Sequence, residues 1–173
     1  MKGAELEFDL SGCEKMIKSL NQMGKSSQKA VSKAANAGGT AAKKAFSSAP
    51  VPVGETGNLL RAVKSVKKKR HQFKRRQRGV AMYDIAWPEE MNDVLQKPIK
   101  NPGVAGGKSD HAYYPNSVEY GFLTRAKGGG IKFVPGQNII RKKMDAEEPG
   151  ITAKIVQKAE KELDKLWKEA NHK

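Results

Sequence analysis

A single cysteine, Cys13, in 173 residues excludes an intrachain disulfide and fits a chain kept in a reducing compartment. Aromatic residues amount to only 6%, so the core must be built mainly from small aliphatic side chains. No apolar run approaches the roughly 20 residues needed to span a bilayer, and Met1 opens no secretory pattern. The expectation is a soluble chain assembled inside the cell, with no membrane partner. Acidic residues are few as well: 18 Asp and Glu stand against 33 Lys and Arg, a formal net charge of +15. A field of that sign favours polyanions, whether nucleic acid, phosphate-rich surfaces or acidic protein patches. It says nothing about fold.

What is present fits one domain over residues 1–173, with one modest core. Ala4-Glu5-Leu6-Glu7-Phe8-Asp9-Leu10 alternates apolar and acidic side chains, the period of a short half-buried strand. Ser11 follows as N-cap with Glu14 in capping-box position. From Met16 to Phe46, apolar residues recur at three- and four-residue steps, which predicts a long Ala/Lys-rich helix. Gly38-Gly39 interrupts the stripe, and a bend or break is expected there, since each helical glycine costs about 1 kcal/mol against alanine. The small residues from Ala34 to Ala45 also allow another backbone to come close, a sheet of this chain before a neighbouring subunit.

Ala49-Pro50-Val51-Pro52-Val53-Gly54-Glu55-Thr56-Gly57 cannot continue that helix. The stretch predicts a helix-to-strand connection, with Leu59 and Leu60 as an apolar anchor beside Arg61 and a strand leaving near Val63–Val66. Residues 64–78 then hold Lys64, Lys67, Lys68, Lys69, Arg70, Lys74, Arg75, Arg76 and Arg78 and no acidic side chain. Gly79 to Trp87 reads as the returning strand. The basic residues are therefore expected at the tip of a long hairpin, facing DNA or an acidic partner, or else simply solvated. Undifferentiated charge, with only His71 and Phe73 able to stack on a base, points to phosphate contact without sequence readout.

No catalytic constellation emerges. Gly103 to Ser109 is one residue short of a phosphate-binding loop and lacks the flanking strand and helix. It reads as part of a loop over 88–111, and Gly128-Gly129-Gly130 as a turn. His71, His111 and His172 show no ligand spacing, and Glu89, Glu90 and Asp93 are ordinary surface acids. Ser109-Asp110-His111 is adjacent in sequence, which says nothing about a triad, and Cys13 has no base beside it. The expectation is no enzyme, no cofactor and no metal.

Three of the four tyrosines fall between Tyr113 and Phe122. Large rings with a polar tip suit an interface, and Tyr113, Tyr114, Val118, Tyr120 and Phe122 are the candidate subunit contact. Ile131–Val134 predicts a short strand, Gln137–Met144 a helix, and Glu147-Glu148-Pro149-Gly150 a break. A last helix follows over about 150–170. The fold class is α+β: a long N-terminal and a C-terminal helix on a small antiparallel sheet with a long basic hairpin.

The order of these pieces resembles a family. The long Ala/Lys helix, Ala49-Pro50-Val51 with Thr56-Gly57-Asn58-Leu59-Leu60-Arg61, Tyr113-Tyr114, Val118-Glu119-Tyr120-Gly121, and Val134-Pro135 with Ile139-Ile140-Arg141 look like the small neck or tail-completion proteins of long-tailed bacteriophages. Members show an Ala-Pro turn, Thr-Gly-x-Leu-Arg, a Val-Glu-x-Gly turn and a Pro-x-x-Phe-Leu-Arg helix. Here one extra residue precedes Leu60-Arg61, Ile139-Ile140 stands for Phe-Leu, and the insert over about 64–111 is longer and more basic. The resemblance implies a non-catalytic virion protein at the head–tail junction, assembled in the host cytoplasm. It would form a homo-oligomeric ring around the DNA path and meet the neighbouring connector and tail proteins. The alternative from a different class is a free, sequence-nonspecific nucleic-acid-binding protein. A metal-dependent nuclease using Asp84, Glu89 and Asp110 ranks third.

Overall fold

Alanine and lysine at helical spacing form the first element, α1 (Lys25–Ser47), in the computed structural model, which describes residues 25–53, 56–72, 80–98, 111–126 and 128–171. The predicted strand over residues 4–10, the Ser11 cap, the first turns of the long helix and Cys13 lie outside the described residues. In chain order α2 (Asn58–Lys64), β1 (Lys67–Arg70), β2 (Tyr83–Ala86), α3 (Glu90–Val94), β3 (Gln96–Pro98) and β4 (His111–Tyr113) follow. Then come α4 (Tyr114–Tyr120), β5 (Gly121–Arg125), β6 (Ile131–Pro135) and α5 (Ile139–Asn171). The fold is α+β. Among the described residues its antiparallel strands form three two-stranded ladders, β1–β2, β3–β4 and β5–β6. A lone pair of strands is marginal in water, so what each ladder leans on matters.

The chain divides into two compact units. In the first, which takes in α1 up to Ala45, the β1–β2 hairpin and α5 from Ala146, α1 is the centre and two of its faces are occupied. One face is a stripe of small buried residues, Ala30, Ala34, Gly38, Ala42 and Ala45. Gly38 meets Ile155 and Ile151 of α5, and Lys33 meets Glu162, so the two helices run antiparallel. The next face is polar at every fourth residue. Gln28 Nε2 donates to the Val80 carbonyl at 3.2 Å, Ser32 Oγ accepts from Arg70 at 3.3 Å, and Asn36 and Thr40 accept from Lys68 Nζ. This face carries the β1–β2 hairpin, and Gly39 lies against Tyr83 Cβ and Lys68 Cδ.

The expected interruption at Gly38-Gly39 is therefore corrected: α1 is unbroken there. Each glycine lets a different neighbour come close, α5 at Gly38 and the hairpin at Gly39. The tertiary contacts outweigh the roughly 2 kcal/mol of helix propensity that the pair gives up.

The second unit (Phe46–Val66 and Trp87–Asp145) has its core where Ala62, Met91 and Leu95 meet Trp87 and Tyr113. The chain enters it through Ala49 and Val51, both buried. Gly57 then takes φ 64°, a left-handed conformation open to glycine, and its carbonyl accepts from the Arg61 amide at 3.0 Å to start α2. The connection to a strand expected here is corrected: Leu59 to Lys64 is helix. Buried Leu59, Ala62, Val63 and Val66 fall at three- and four-residue steps, a helical period that outweighs the β-branched valines. The expected loop over 88–111 is also partly structured. It holds α3 and the strand β3, which pairs Gln96 with Tyr113.

The expected break at Glu147–Gly150 does not occur, and α5 runs from Ile139 to Asn171 with Pro149 inside. Buried Met144 and Ile151 anchor the helix on either side of the proline. Pro149 is exposed, so the carbonyl that loses its amide partner can turn to water.

Candidate functional site

Two surfaces carry the residues singled out above. The first is the β1–β2 hairpin. Lys67 pairs with Ala86, Lys68 with Ile85, Lys69 with Asp84 and Arg70 with Tyr83, and side chains alternate between the faces. Lys68 and Arg70 share the inner face with Tyr83 and buried Ile85. Lys68 Nζ reaches Asn36 Oδ1 at 2.7 Å and Thr40 Oγ1 at 2.6 Å, and sits 5.3 Å from the Tyr83 ring centroid. Exposed Lys67 and Lys69 share the outer face with Asp84, whose carboxylate lies 3.1 Å from His71 Nδ1.

The expectation that all these cations crown a hairpin tip is thus corrected for four of them. Lys67 to Arg70 form the strand itself, and two of the four are turned onto α1. Lys64 is exposed near the end of α2. Lys74, Arg75, Arg76 and Arg78 lie outside the described residues, as does Phe73. Only the alternation of strand side chains could have separated Lys67 and Lys69 from Lys68 and Arg70.

The second surface lies in the second unit, over α4 and the β5–β6 hairpin. Tyr113 belongs to the interior: Trp87 Nε1 donates to its hydroxyl, which donates in turn to Asn92 Oδ1 at 3.1 Å. Burial raises the Tyr113 phenol above its ordinary pKa, although the Trp87 hydrogen bond opposes the shift. Tyr114 is half-buried beneath Lys97, whose ammonium is 4.7 Å from the ring centroid. Val118 is half-buried too, while Tyr120 is 60% and Phe122 46% exposed.

Beside these the structure adds Leu123, Ile131 and Phe133, at 45%, 64% and 54% exposure, which sequence reasoning missed. The signal was available. Phe122-Leu123 and Ile131-Lys132-Phe133-Val134 put apolar side chains on both parities of the strands, so one face of a two-stranded ladder must be left uncovered.

Glu119 explains how this surface is held. It is a buried carboxylate whose oxygens accept from the Ile140 amide at 3.2 Å and the Arg141 amide at 2.7 Å. Those are free donors at the first turn of α5, so Glu119 caps that helix from 20 residues upstream. Gly121 sits at φ 92° with its missing Cβ directed at the Val134 carbonyl and the Gly136 amide. The Gly136 position is likewise closed by the Glu119 carbonyl and the Gly121 amide. The Val118-Glu119-Tyr120-Gly121 and Pro135-to-Arg141 segments, read separately in the sequence, are thus two sides of one junction.

For chemistry, the described residues contain no group of three or more His, Cys, Asp or Glu side chains placed to hold a metal ion. No described helix is long and apolar enough to cross a membrane. Exposed Glu89 precedes α3 and exposed Glu90 opens it, His111 lies in β4, and the Gly128–Gly130 turn is closed by Ala126 N to Gly130 O at 2.8 Å. The 103–110 segment and His172 lie outside the described residues. The chain matches no protein-family model, no curated protein and no solved structure.

Proposed function

We propose that this chain is a structural subunit of the bacteriophage neck. It completes the upper end of the tail or joins it to the head connector, as one copy of a homo-oligomeric ring around the DNA path. The observation that carries the reading is the pairing of an exposed apolar hairpin with the junction that fixes it. Five large apolar side chains stand open, Tyr120 at the end of α4 and four more on the hairpin that follows, whose base is held by the Glu119 cap and by Gly121 against Gly136. Exposed apolar area of this kind marks a contact with another protein. The segments that build the junction are the ones that resemble the neck family. A free nucleic-acid binder would need the basic hairpin but has no use for an open apolar one. In this reading the subunit is not an enzyme and takes no cofactor or metal. Lys67 and Lys69 supply a sequence-indifferent positive surface toward DNA or an acidic neighbouring protein.

A phage lacking the chain tests the role directly. DNA-filled heads and normal-length tails should both accumulate unjoined, and electron microscopy should show few complete particles. Empty heads or normal growth would remove the neck assignment.

A further inference from the structure

We infer that the ring is built head to tail, with the β5–β6 hairpin of one copy laid along the outer face of α5 in the next. The inference rests on the ring reading above and names the surfaces that would make it. One side of the hairpin carries Leu123 opposite Phe133 and Arg125 opposite Ile131, all exposed. Residues 121–135 contain Arg125, Lys127 and Lys132 and no acidic residue, and on this side Arg125 carries the charge, at the turn end of the ladder.

The outer face of α5 is the complement. A shallow trough of about 650 Å³ there is lined by Pro149, Thr152, Ala153, Val156 and Gln157, with Glu148 and Glu160 at its ends. The twelve residue steps from Glu148 to Glu160 cover about 18 Å of helix axis at 1.5 Å per step. Counted the same way, a five-residue strand covers about 14 Å, so β5 and β6 fit within the length of the trough. The charged side chains that line the trough, Glu148 and Glu160, are both acidic and exposed, opposite in sign to the hairpin. In this contact the basic end of the hairpin sits over Glu148, with Leu123 and Phe133 on Ala153 and Val156 and the exposed Tyr120 toward Glu160.

The two patches differ, so each copy offers its hairpin to one neighbour and its trough to the other. Such heterologous contacts close into rings when the rotation between copies permits. Two copies of a strongly basic chain need local charge complementarity to associate, and this contact provides it.

The full-length chain, followed by analytical ultracentrifugation over a range of concentrations, tests the contact. Arg125→Glu and Glu148→Lys should each raise the concentration needed for assembly by roughly tenfold or more, and the double variant should return it close to the original. Phe133→Arg closes the hairpin side and Ala153→Arg the trough side. Each alone should be monomeric, and an equimolar mixture should give a one-to-one dimer and nothing larger. Oligomers indifferent to all four substitutions would overturn this contact and leave the ring reading in place. Dimers formed by Phe133→Arg alone would also overturn it. A parent chain that stays monomeric at every concentration would count against the ring itself.

Discussion

Alanine in place of glycine should act with opposite signs at two positions of the first unit. Gly150 lies in exposed helix with nothing near the position of a Cβ. There Gly150→Ala gains helix propensity alone, about 1 kcal/mol. At Gly38 the same propensity gain meets the Ile155 side chain. The nearest atoms include Ile155 Cγ1 as well as Cδ1, so turning χ2 cannot clear the space, and χ1 of a β-branched residue in a helix is stiff. Overpacking of this kind costs about 1–3 kcal/mol. The net for Gly38→Ala is a loss of about 1 kcal/mol, which leaves the two variants about 2 kcal/mol apart. For a chain of this size that separates their melting temperatures by roughly 4–8 °C. Thermal melts followed by circular dichroism, repeated in urea, would measure it. Adding Ile155→Ala to Gly38→Ala should reveal a favourable coupling of at least about 0.5 kcal/mol in a double-mutant cycle. If Gly38→Ala raised the melting temperature as much as Gly150→Ala, α1 and α5 would not pack at Gly38.

The Glu119 cap predicts that Glu119→Ala, which strands two amides at the start of α5, destabilises the second unit by about 1–2 kcal/mol. Glu119→Gln, which keeps one acceptor, should lose less in the same urea titration. Hydrogen bonds from Lys33 and then Lys158 hold the Glu162 carboxyl down at about 2, against an ordinary 4.5. Its contribution is therefore complete above about pH 4.5 and is lost as the pH falls toward 2. Glu162→Gln should flatten that part of the stability profile, and an unchanged acid limb would show that the carboxylate is not held as described. On the basic hairpin, Lys67→Glu with Lys69→Glu should weaken DNA binding equally for all sequences. The double variant should also lower the slope of log affinity against log salt, by about 0.9 for each phosphate no longer neutralised. Lys68→Ala should act mainly on stability, since its ammonium is bound to Asn36 and Thr40. A parent slope in the double variant would remove the outer face from any DNA path. Pro149→Ala should stabilise α5 by up to about 3 kcal/mol, read as a higher melting temperature.

Much of this protein was legible without coordinates because it is local. Helical spacing marked most of α1 and both ends of α5, Ile131 to Val134 announced β6, and the α+β class followed from mixing the two periods. The composition already made the charge surplus certain, since no folding can change it. What failed were judgements that depend on a neighbour. Gly38-Gly39 and Pro149 look like helix breaks until Ile155, Tyr83 and the buried anchors Met144 and Ile151 are in place. Val63 and Val66 look like strand until Leu59 and Ala62 share their buried face.

The candidate site divides in the same way. Residue identity named the basic run and the tyrosine segment. Only tertiary structure turned Lys68 and Arg70 inward, drew Tyr113 into a core and left Leu123, Ile131 and Phe133 open. Only tertiary structure brought Glu119 to the first turn of α5 and set Gly121 against Gly136. Propensity and charge belong to single residues, whereas burial, capping and close approach belong to pairs distant in the chain, and no run of neighbouring letters contains both members.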